Sequence, residues 1–303
     1  MANLKDIKNR IQSVENTKKI TKAMKMVAAA KVKRAESTVK SARPFSDELL
    51  SLFKTLLDKV DIAVSNGIHP ERAIDDYQEL LTKREVKSVG LLVITSNKGL
   101  AGAYNANLAR AVMKEIQENK ANGKNTVLYV AGMKGISALK HVTDGARVAK
   151  TYVQVVETPT SGGSDMIAQD IATDFVAGEI DEIKIITTRF NNMMSYSISE
   201  STLLPVDLEH VEAKELNPLM EFEPSASHVL QSLVPMYLSN SIFQALLEAN
   251  ASELASRMTA MSAASNNAEE MITDLTINYN KARQAAITQE LVEIVSGANA
   301  AKS

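Results

Sequence analysis

The feature that most constrains the fold is a 61-residue stretch, 236–296, that contains neither glycine nor proline. As one helix it would be about 90 Å long, at ~1.5 Å per residue. Ten of the 12 glycines lie between Gly90 and Gly178, and Pro44 is the only glycine or proline in residues 1–66. These positions predict a long helix at each end of the chain and a glycine-bearing domain between them.

The middle of the chain alternates short apolar runs with amphipathic segments, which is typical of an α/β domain with a mostly parallel sheet. The apolar runs predict strands at 88–95, 126–131, 146–156 and 182–190, with an edge strand at 195–205. The segments between them predict helices at 105–120, 133–142 and 165–180. We therefore expect a small Rossmann-like α/β domain.

The C-terminal stretch carries a narrow seam in which residues follow an unbroken 4-3 spacing, as in a coiled coil. The seam positions are Leu254, Met258, Met261, Ser265, Ala268, Ile272, Leu275, Tyr279, Ala282 and Ala286. If it pairs with the N-terminal helix, the two must run antiparallel, because both leave the same domain. The alternative is that each helix packs separately on the α/β domain.

This interpretation divides the chain into five parts. The expected fold class is α/β, with a long antiparallel coiled coil of the N- and C-terminal helices plus the small α/β domain. The predicted parts are an N-terminal coiled-coil helix, a connecting segment, the α/β domain, a connector and a C-terminal coiled-coil helix, at 1–62, 63–87, 88–207, 208–224 and 225–303.

The N-terminal helix changes its apolar side along its length. It begins with Leu4, Ile7, Ile11 and Val14 on one side, and Asn3 is available as an N-cap. At about 100° per residue, the apolar side chains of Ile20, Met24 and Val27 then point roughly the opposite way, and the original side is taken by Lys18, Lys22 and Lys25. Either a local stutter rotates the seam, or this segment is an apolar and cationic collar that faces a second protein.

The charge distribution and the absence of cysteine limit the partners and the chemistry of this chain. The chain holds 34 Lys or Arg against 36 Asp or Glu and no cysteine, which excludes disulfides, thiolate sites and thiol switches. Residues 1–43 carry 12 basic and 3 acidic side chains, a net charge of +9, which favours a solvated face or an acidic partner. No aromatic residue precedes Phe45, so we expect no nucleic acid partner there.

Enzyme motifs are weak throughout. The turn from Thr95 to Asn105 contains Gly99 and Gly102 between a strand and a helix, but it matches neither G-x-G-x-x-G nor the P-loop pattern. The four histidines lack metal-ligand spacing, and no G-x-S-x-G occurs. The residues 162–165 are interpreted as a loop that leads into a capped helix. We expect no catalytic residue, no metal and no cofactor.

Membrane and targeting signals are also missing from the sequence. No apolar run approaches the ~18 residues of a membrane span, and the first residues lead directly into charged, helix-like sequence. We expect synthesis in the cytosol, and a bacterial cytoplasm rather than an organelle.

Both ends of the chain resemble the gamma subunit of F-type, proton-translocating ATP synthase. The segment Ile7–Val32 is similar to the N-terminal helix of that family, and Thr95–Asn105 resembles its domain turn. Three C-terminal motifs also fit, namely Arg257-Met-Thr-Ala-Met261, Tyr279-Asn-Lys-Ala-Arg283-Gln284 and Ile287-Thr288-x-Glu290-x-x-Glu293-x-x-x-Gly297-Ala298-x-Ala300. The chain departs from the family where Ala101 replaces a common Cys, and it lacks the cysteine-bearing insertion of chloroplast relatives.

The resemblance implies a non-catalytic, central-stalk rotor that couples proton flow through a membrane c-ring to ATP synthesis or hydrolysis. It implies the alpha and beta subunits, the epsilon subunit and the c-subunit ring as partners, with membrane contact only through the complex. The expected place is the cytoplasmic face of the bacterial plasma membrane, as a peripheral subunit. The residues implied in partner binding, together with the collar lysines, are Lys18, Lys22, Met24, Lys25, Arg283, Gln284, Thr288 and Glu290.

Two other functions remain open from the sequence. One is an α/β nucleotide-binding enzyme that uses the turn at Gly99 and Gly102. The other is a self-associating coiled-coil scaffold.

Overall fold

The computed structural model describes residues 4–65, 80, 84–140, 145–206 and 226–300. The chain divides into two compact units, which we call the coil unit (residues 1–29 and 257–303) and the sheet unit (residues 30–256). Helix α1 spans Leu4–Ser65 with 62 residues, and helix α5 spans Ala226–Ala300 with 75. Each contains a proline, at Pro44 and Pro235. Tertiary packing therefore outweighs the ~3 kcal/mol that a proline costs inside a helix.

The sheet unit is built on five strands in the order β3-β2-β1-β4-β5. The strands are β1 Ser88–Ile94, β2 Asn125–Ala131, β3 Ala146–Tyr152, β4 Glu182–Asn192 and β5 Ser195–Leu204. The pairs β1–β2, β1–β4 and β2–β3 are parallel, and β5 is an antiparallel edge strand. The helices between them are α2 Tyr104–Ala121, α3 Met133–Leu139 and α4 Ser161–Val176. The predicted α/β class with a mostly parallel sheet is confirmed.

Local boundaries differ from the prediction at the end of β3 and at both ends of α4, which stops at Val176 and not at residue 180. Strand β3 stops at Tyr152, and Gln154–Val156 forms a short 3-10 helix instead of continuing the strand. Helix α4 begins at Ser161, because the Thr160 hydroxyl accepts a hydrogen bond from the Gly163 amide at 3.2 Å and caps the helix there. The residues 162–165 are thus its first turn and not a loop. The predicted helix end at Val142 lies outside the described residues.

The sheet is covered on both faces, which explains why its central strand is a continuous apolar run. Every residue of β1 after Ser88 is buried. One face packs against α1, α4 and α5, with Phe53, Ile171 and Ile242 among the fully buried side chains. The other packs against α2, where Tyr104 and Leu108 are fully buried.

In the coil unit, the predicted seam of α5 agrees with burial. Between Ser265 and Gly297 the only side chains not exposed are seam positions, namely Ser265, Ala268, Ile272, Leu275, Tyr279, Ala282 and Ala286. Lys18 of α1 is ion-paired with Glu269 of α5 at 3.0 Å. In the sheet unit Arg43 pairs with Glu248 and Ser46 accepts a hydrogen bond from Asn240, so residue numbers on α5 fall there as those on α1 rise. The helices therefore pair antiparallel. The expected cap at Asn3 lies outside the described residues.

Candidate partner-binding surfaces

The glycine-bearing turn after β1 is held by its own hydrogen bonds. The Thr95 hydroxyl donates to the Ala131 carbonyl at 2.9 Å. The Asn105 side-chain oxygen accepts from the Ser96 amide at 3.1 Å. Leu100 takes a left-handed conformation, with φ 63°. These contacts make the segment a tight βα turn.

The crevice beyond β1 and β4 is filled by the chain itself. In open α/β sheets ligands bind outside the carboxyl ends of the strands where the strand order reverses, here between β1 and β4. The Ser256 hydroxyl of α5 donates to the Ala101 carbonyl at 2.6 Å, and the Tyr104 hydroxyl donates to the Ala249 carbonyl at 3.2 Å. Burial raises the pKa of the Tyr104 phenol, which therefore stays protonated. Helix α5 occupies the position that a nucleotide-binding enzyme would need for its ligand.

Among the residues that the structure describes, no group of three or more His, Cys, Asp or Glu side chains could hold a metal ion.

The collar segment of α1 keeps its seam on one side. Lys18 is half-buried, and Thr21 and Ala28 are buried at the seam positions three and ten residues later, while Lys25 between them is exposed. The Thr21 hydroxyl is satisfied within the helix, since it donates to the Thr17 carbonyl at 3.0 Å. The seam therefore continues past Lys18 through small and polar side chains, with Met24 half-buried beside it.

The opposite side of this segment exposes apolar side chains. Ile20 is 60% exposed and Val27 58%, while Met24 is half-buried between them and the seam. Lys22 and Lys25 are exposed. Lys18, by contrast, is engaged by Glu269, so it is not a free cation of the collar.

Met26 belongs to the same exposed surface, although it is not among the residues predicted from the sequence. Its side chain is 59% exposed. The helical spacing could have identified it, because residues four apart share a helix face and Met26 lies four residues after Lys22.

The second candidate surface is the end of α5. Every side chain from 287 to 297 is exposed, and Arg283, Gln284 and Glu290 are exposed as well. Five large apolar side chains are 49% to 67% exposed, namely Ile287, Leu291, Val292, Ile294 and Val295. The Thr288 hydroxyl donates to the Gln284 carbonyl at 2.9 Å. We call residues 287–297 the tip, because the half-buried Ala286 is the last seam position.

The two surfaces are separate. Glu269 stands opposite Lys18, and Arg283 follows Glu269 by 14 residues. This places the tip-side residues about 21 Å farther along α5, at ~1.5 Å per residue. The structure thus groups the predicted residues into a collar set and a tip set.

Comparison with known proteins settles the family. The family model for ATP synthase matches residues 3–301. The ATP synthase gamma chain of Picosynechococcus sp. is 42% identical over 326 aligned residues, covering 99% of this chain and all of that protein. The gamma chain of Nostoc punctiforme is also 42% identical, covering 99% of each chain.

The chain belongs to the ATP synthase gamma-chain family. As a gamma chain, it is a central-stalk subunit and is not itself catalytic. Its fold is similar to a chain of the Tetrahymena thermophila mitochondrial ATP synthase central stalk and c-ring, with a TM-score of 0.58 and 28% identity, over 81% of this chain and 99% of that one.

A chain of the Euglena gracilis mitochondrial ATP synthase shares the fold of this gamma chain, with a TM-score of 0.65 and 18% identity over 98% of this chain and 94% of that one. None of the gamma chain's helices within the described ranges is long and apolar enough to cross a bilayer.

Proposed function

We propose that the coil unit is the rotating shaft of an ATP synthase, enclosed by a ring of alternating alpha and beta subunits. Its rotation couples proton flow through the c-subunit ring to ATP synthesis or hydrolysis. The observation that carries this proposal is the tip, where an amphipathic helix end exposes large apolar side chains without a described neighbour. A lone helix of this length is marginal in water, so an apolar-lined ring is the cover that it needs.

The two surfaces have different roles in this proposal. The tip turns inside the apolar lining of the ring. Polar contacts to a beta-subunit loop come from Arg283, Gln284, Thr288 and Glu290. Charge-assisted hydrogen bonds from Arg283 resist slippage during rotation. The collar faces an acidic partner loop through Lys22 and Lys25, with Met24 at the bearing.

The sheet unit sits, in this proposal, on the epsilon subunit and the c-subunit ring. The protein then reaches the membrane only through the complex, at the cytoplasmic face of a bacterial plasma membrane. The rotor function needs no nucleotide site in this chain, which agrees with the filled crevice at Ser256 and Ala101.

A crosslinking experiment tests the shaft placement. The chain has no cysteine, so Gln284→Cys introduces a single reactive thiol. Crosslinking to a Cys in the facing beta-subunit loop should occur only in the assembled complex, and it should stop sustained turnover until the disulfide is reduced.

The matched control is Gln117→Cys, an exposed position of α2 in the sheet unit. It should not crosslink to the same beta-subunit Cys. If Gln284→Cys does not crosslink in an active complex, or crosslinks without slowing turnover, the tip does not lie inside the ring.

A further inference from the structure

Helices α1 and α5 meet strand β4 at an ion pair between a half-buried arginine and a buried glutamate. Arg43 of α1 presents its guanidinium edge to Glu248 of α5, with Nε to Oε1 at 2.7 Å and Nη2 to Oε2 at 2.9 Å. Arg43 Nη2 also donates to the Phe190 carbonyl of β4 at 2.7 Å. One side chain of α1 therefore holds both the other long helix and the sheet.

The Glu248 carboxylate completes the same network. It accepts a hydrogen bond from the Phe190 amide at 2.7 Å and another from the Gln244 side chain at 3.0 Å. The Glu248 side chain is only 9% exposed and Arg43 is 32% exposed, so the carboxylate end of the network is shielded from water. Both the N–H and the C=O of Phe190 are bound to the ion pair, which joins β4 to α1 and α5 at a single backbone residue.

Apolar contacts surround this network, and they constrain the angle of each helix less sharply than the ion pair does. Phe190 packs with Val32 and Val39 of α1 and with Leu247 and Ala251 of α5. Each apolar contact is non-directional, so a small turn of a helix about its own axis weakens it only gradually. The bidentate Arg–carboxylate contact has a fixed planar geometry, and it is lost when either helix turns.

We propose that Arg43 and Glu248 are positioning residues that fix the two long helices to β4 against rotation about their axes. The inference rests on the proposed rotary function. The hydrogen bonds from Ser256 to Ala101 and from Tyr104 to Ala249 also hold α5 to the sheet unit, but they do not hold α1. Without the Arg43 network α1 would turn more easily under load, and part of the rotation would be lost as slippage between the helices and the sheet.

The experiment uses the assembled ATP synthase that contains this chain. The variants are Arg43→Ala, Arg43→Lys and Glu248→Gln, and the readouts are ATP turnover, protons pumped per ATP and thermal stability of the complex. Arg43→Lys is decisive, because the ammonium keeps the charge beside Glu248 but cannot form the planar fork to Glu248 together with the Phe190 contact. We expect the complex with Arg43→Lys to be more stable than that with Arg43→Ala. The number of protons pumped per ATP should nevertheless fall to about half of the unaltered value or less in all three variants.

The matched control is Arg147→Ala, which removes an exposed Arg–Glu pair of the same unit, Arg147 with Glu179 at 2.7 Å. It should leave pumping per ATP unchanged. If Arg43→Lys pumps as the unaltered complex does, Arg43 serves only to neutralise Glu248 and the inference is wrong. If the unaltered chain does not support pumping at all, the rotary function itself is wrong, so the two failures are distinguishable.

Discussion

At the scale of single residues, close approach decides where glycine is required. Gly135 of α3 lies against Thr95, and its amide donates to the Thr95 hydroxyl at 2.9 Å. A Cβ at Gly135 would come within 2.6 Å of that hydroxyl and 2.9 Å of a Val130 methyl group. At Gly162 of α4, by contrast, a Cβ would meet no atom within 4 Å. Packing therefore requires glycine at position 135, whereas position 162 has room for a larger side chain.

Replacing each glycine by alanine tests this difference. Gly135→Ala should lower the free energy of unfolding of the sheet unit by about 1–3 kcal/mol, because the added methyl group overpacks a rigid contact. Gly162→Ala should raise it by about 0.5 kcal/mol, because the unfolded chain loses conformational freedom. Urea unfolding followed by circular dichroism measures both. If both substitutions change the free energy of unfolding by the same amount, the contact between residue 135 and Thr95 relaxes without cost.

Asp181 provides a prediction about pH. Burial of its carboxylate opposes ionisation, but hydrogen bonds from the Ser88 and Lys87 amides, at 2.9 Å each, and the Arg84 guanidinium outweigh it. The pKa of Asp181 is consequently lowered. A lowered pKa stabilises the fold above the unfolded value of about 3.9, and this contribution disappears as pH falls through the folded value.

Asp181→Asn should therefore destabilise the start of β1 equally at pH 7 and pH 5, by about 1–3 kcal/mol. The difference from the unaltered chain should narrow only below about pH 4. Hydrogen exchange at the Ser88 amide gives the opening free energy of this segment, and comparing the two chains at each pH measures the difference. A difference that already narrows between pH 7 and pH 5 would contradict the lowered pKa.

At the scale of elements, α5 is one continuous helix with two kinds of surface. Met261 lies on the seam and is 5% exposed, whereas Leu291 lies on the tip and is 57% exposed. The same apolar-to-polar change should therefore have unequal effects in the isolated chain.

Met261→Ser should lower the stability of the coil unit by about 2–5 kcal/mol. Leu291→Ser should change it by less than about 0.5 kcal/mol, because the side chain is already in water. Thermal melting of the isolated chain, followed at a helix-sensitive wavelength, compares them. A large loss for Leu291→Ser would show that part of the chain covers the tip.

At the scale of the whole molecule, charge is segregated although the total is only −2. The net charge of +9 on residues 1–43 includes the exposed Lys22 and Lys25 of the collar. Met24 is the half-buried apolar residue beside them. A further cation at this position would meet the acidic partner that the collar is proposed to face.

Met24→Lys should accordingly lower the protons pumped per ATP hydrolysed, because an apolar contact is replaced by a charge that can form a new ion pair. Pumping and ATP turnover are measured together in membrane vesicles. Ser41→Lys, at an exposed position of the same helix, adds the same charge and should leave the ratio unchanged. An unchanged ratio in Met24→Lys would place Met24 outside the bearing.

The sequence alone determined the helical ends and the seam from Ser265 to Ala286, since breaker positions and 4-3 spacing act through local backbone geometry. It also indicated the family through motifs at both ends. Only the tertiary structure decided that the seam passes through Lys18 and Thr21, because small and polar side chains carry no apolar signal. The contact of Ser256 with Ala101 joins positions 155 residues apart, and that of Arg43 with Glu248 joins positions 205 apart. Such pairs depend on the register between distant segments, which no local period encodes.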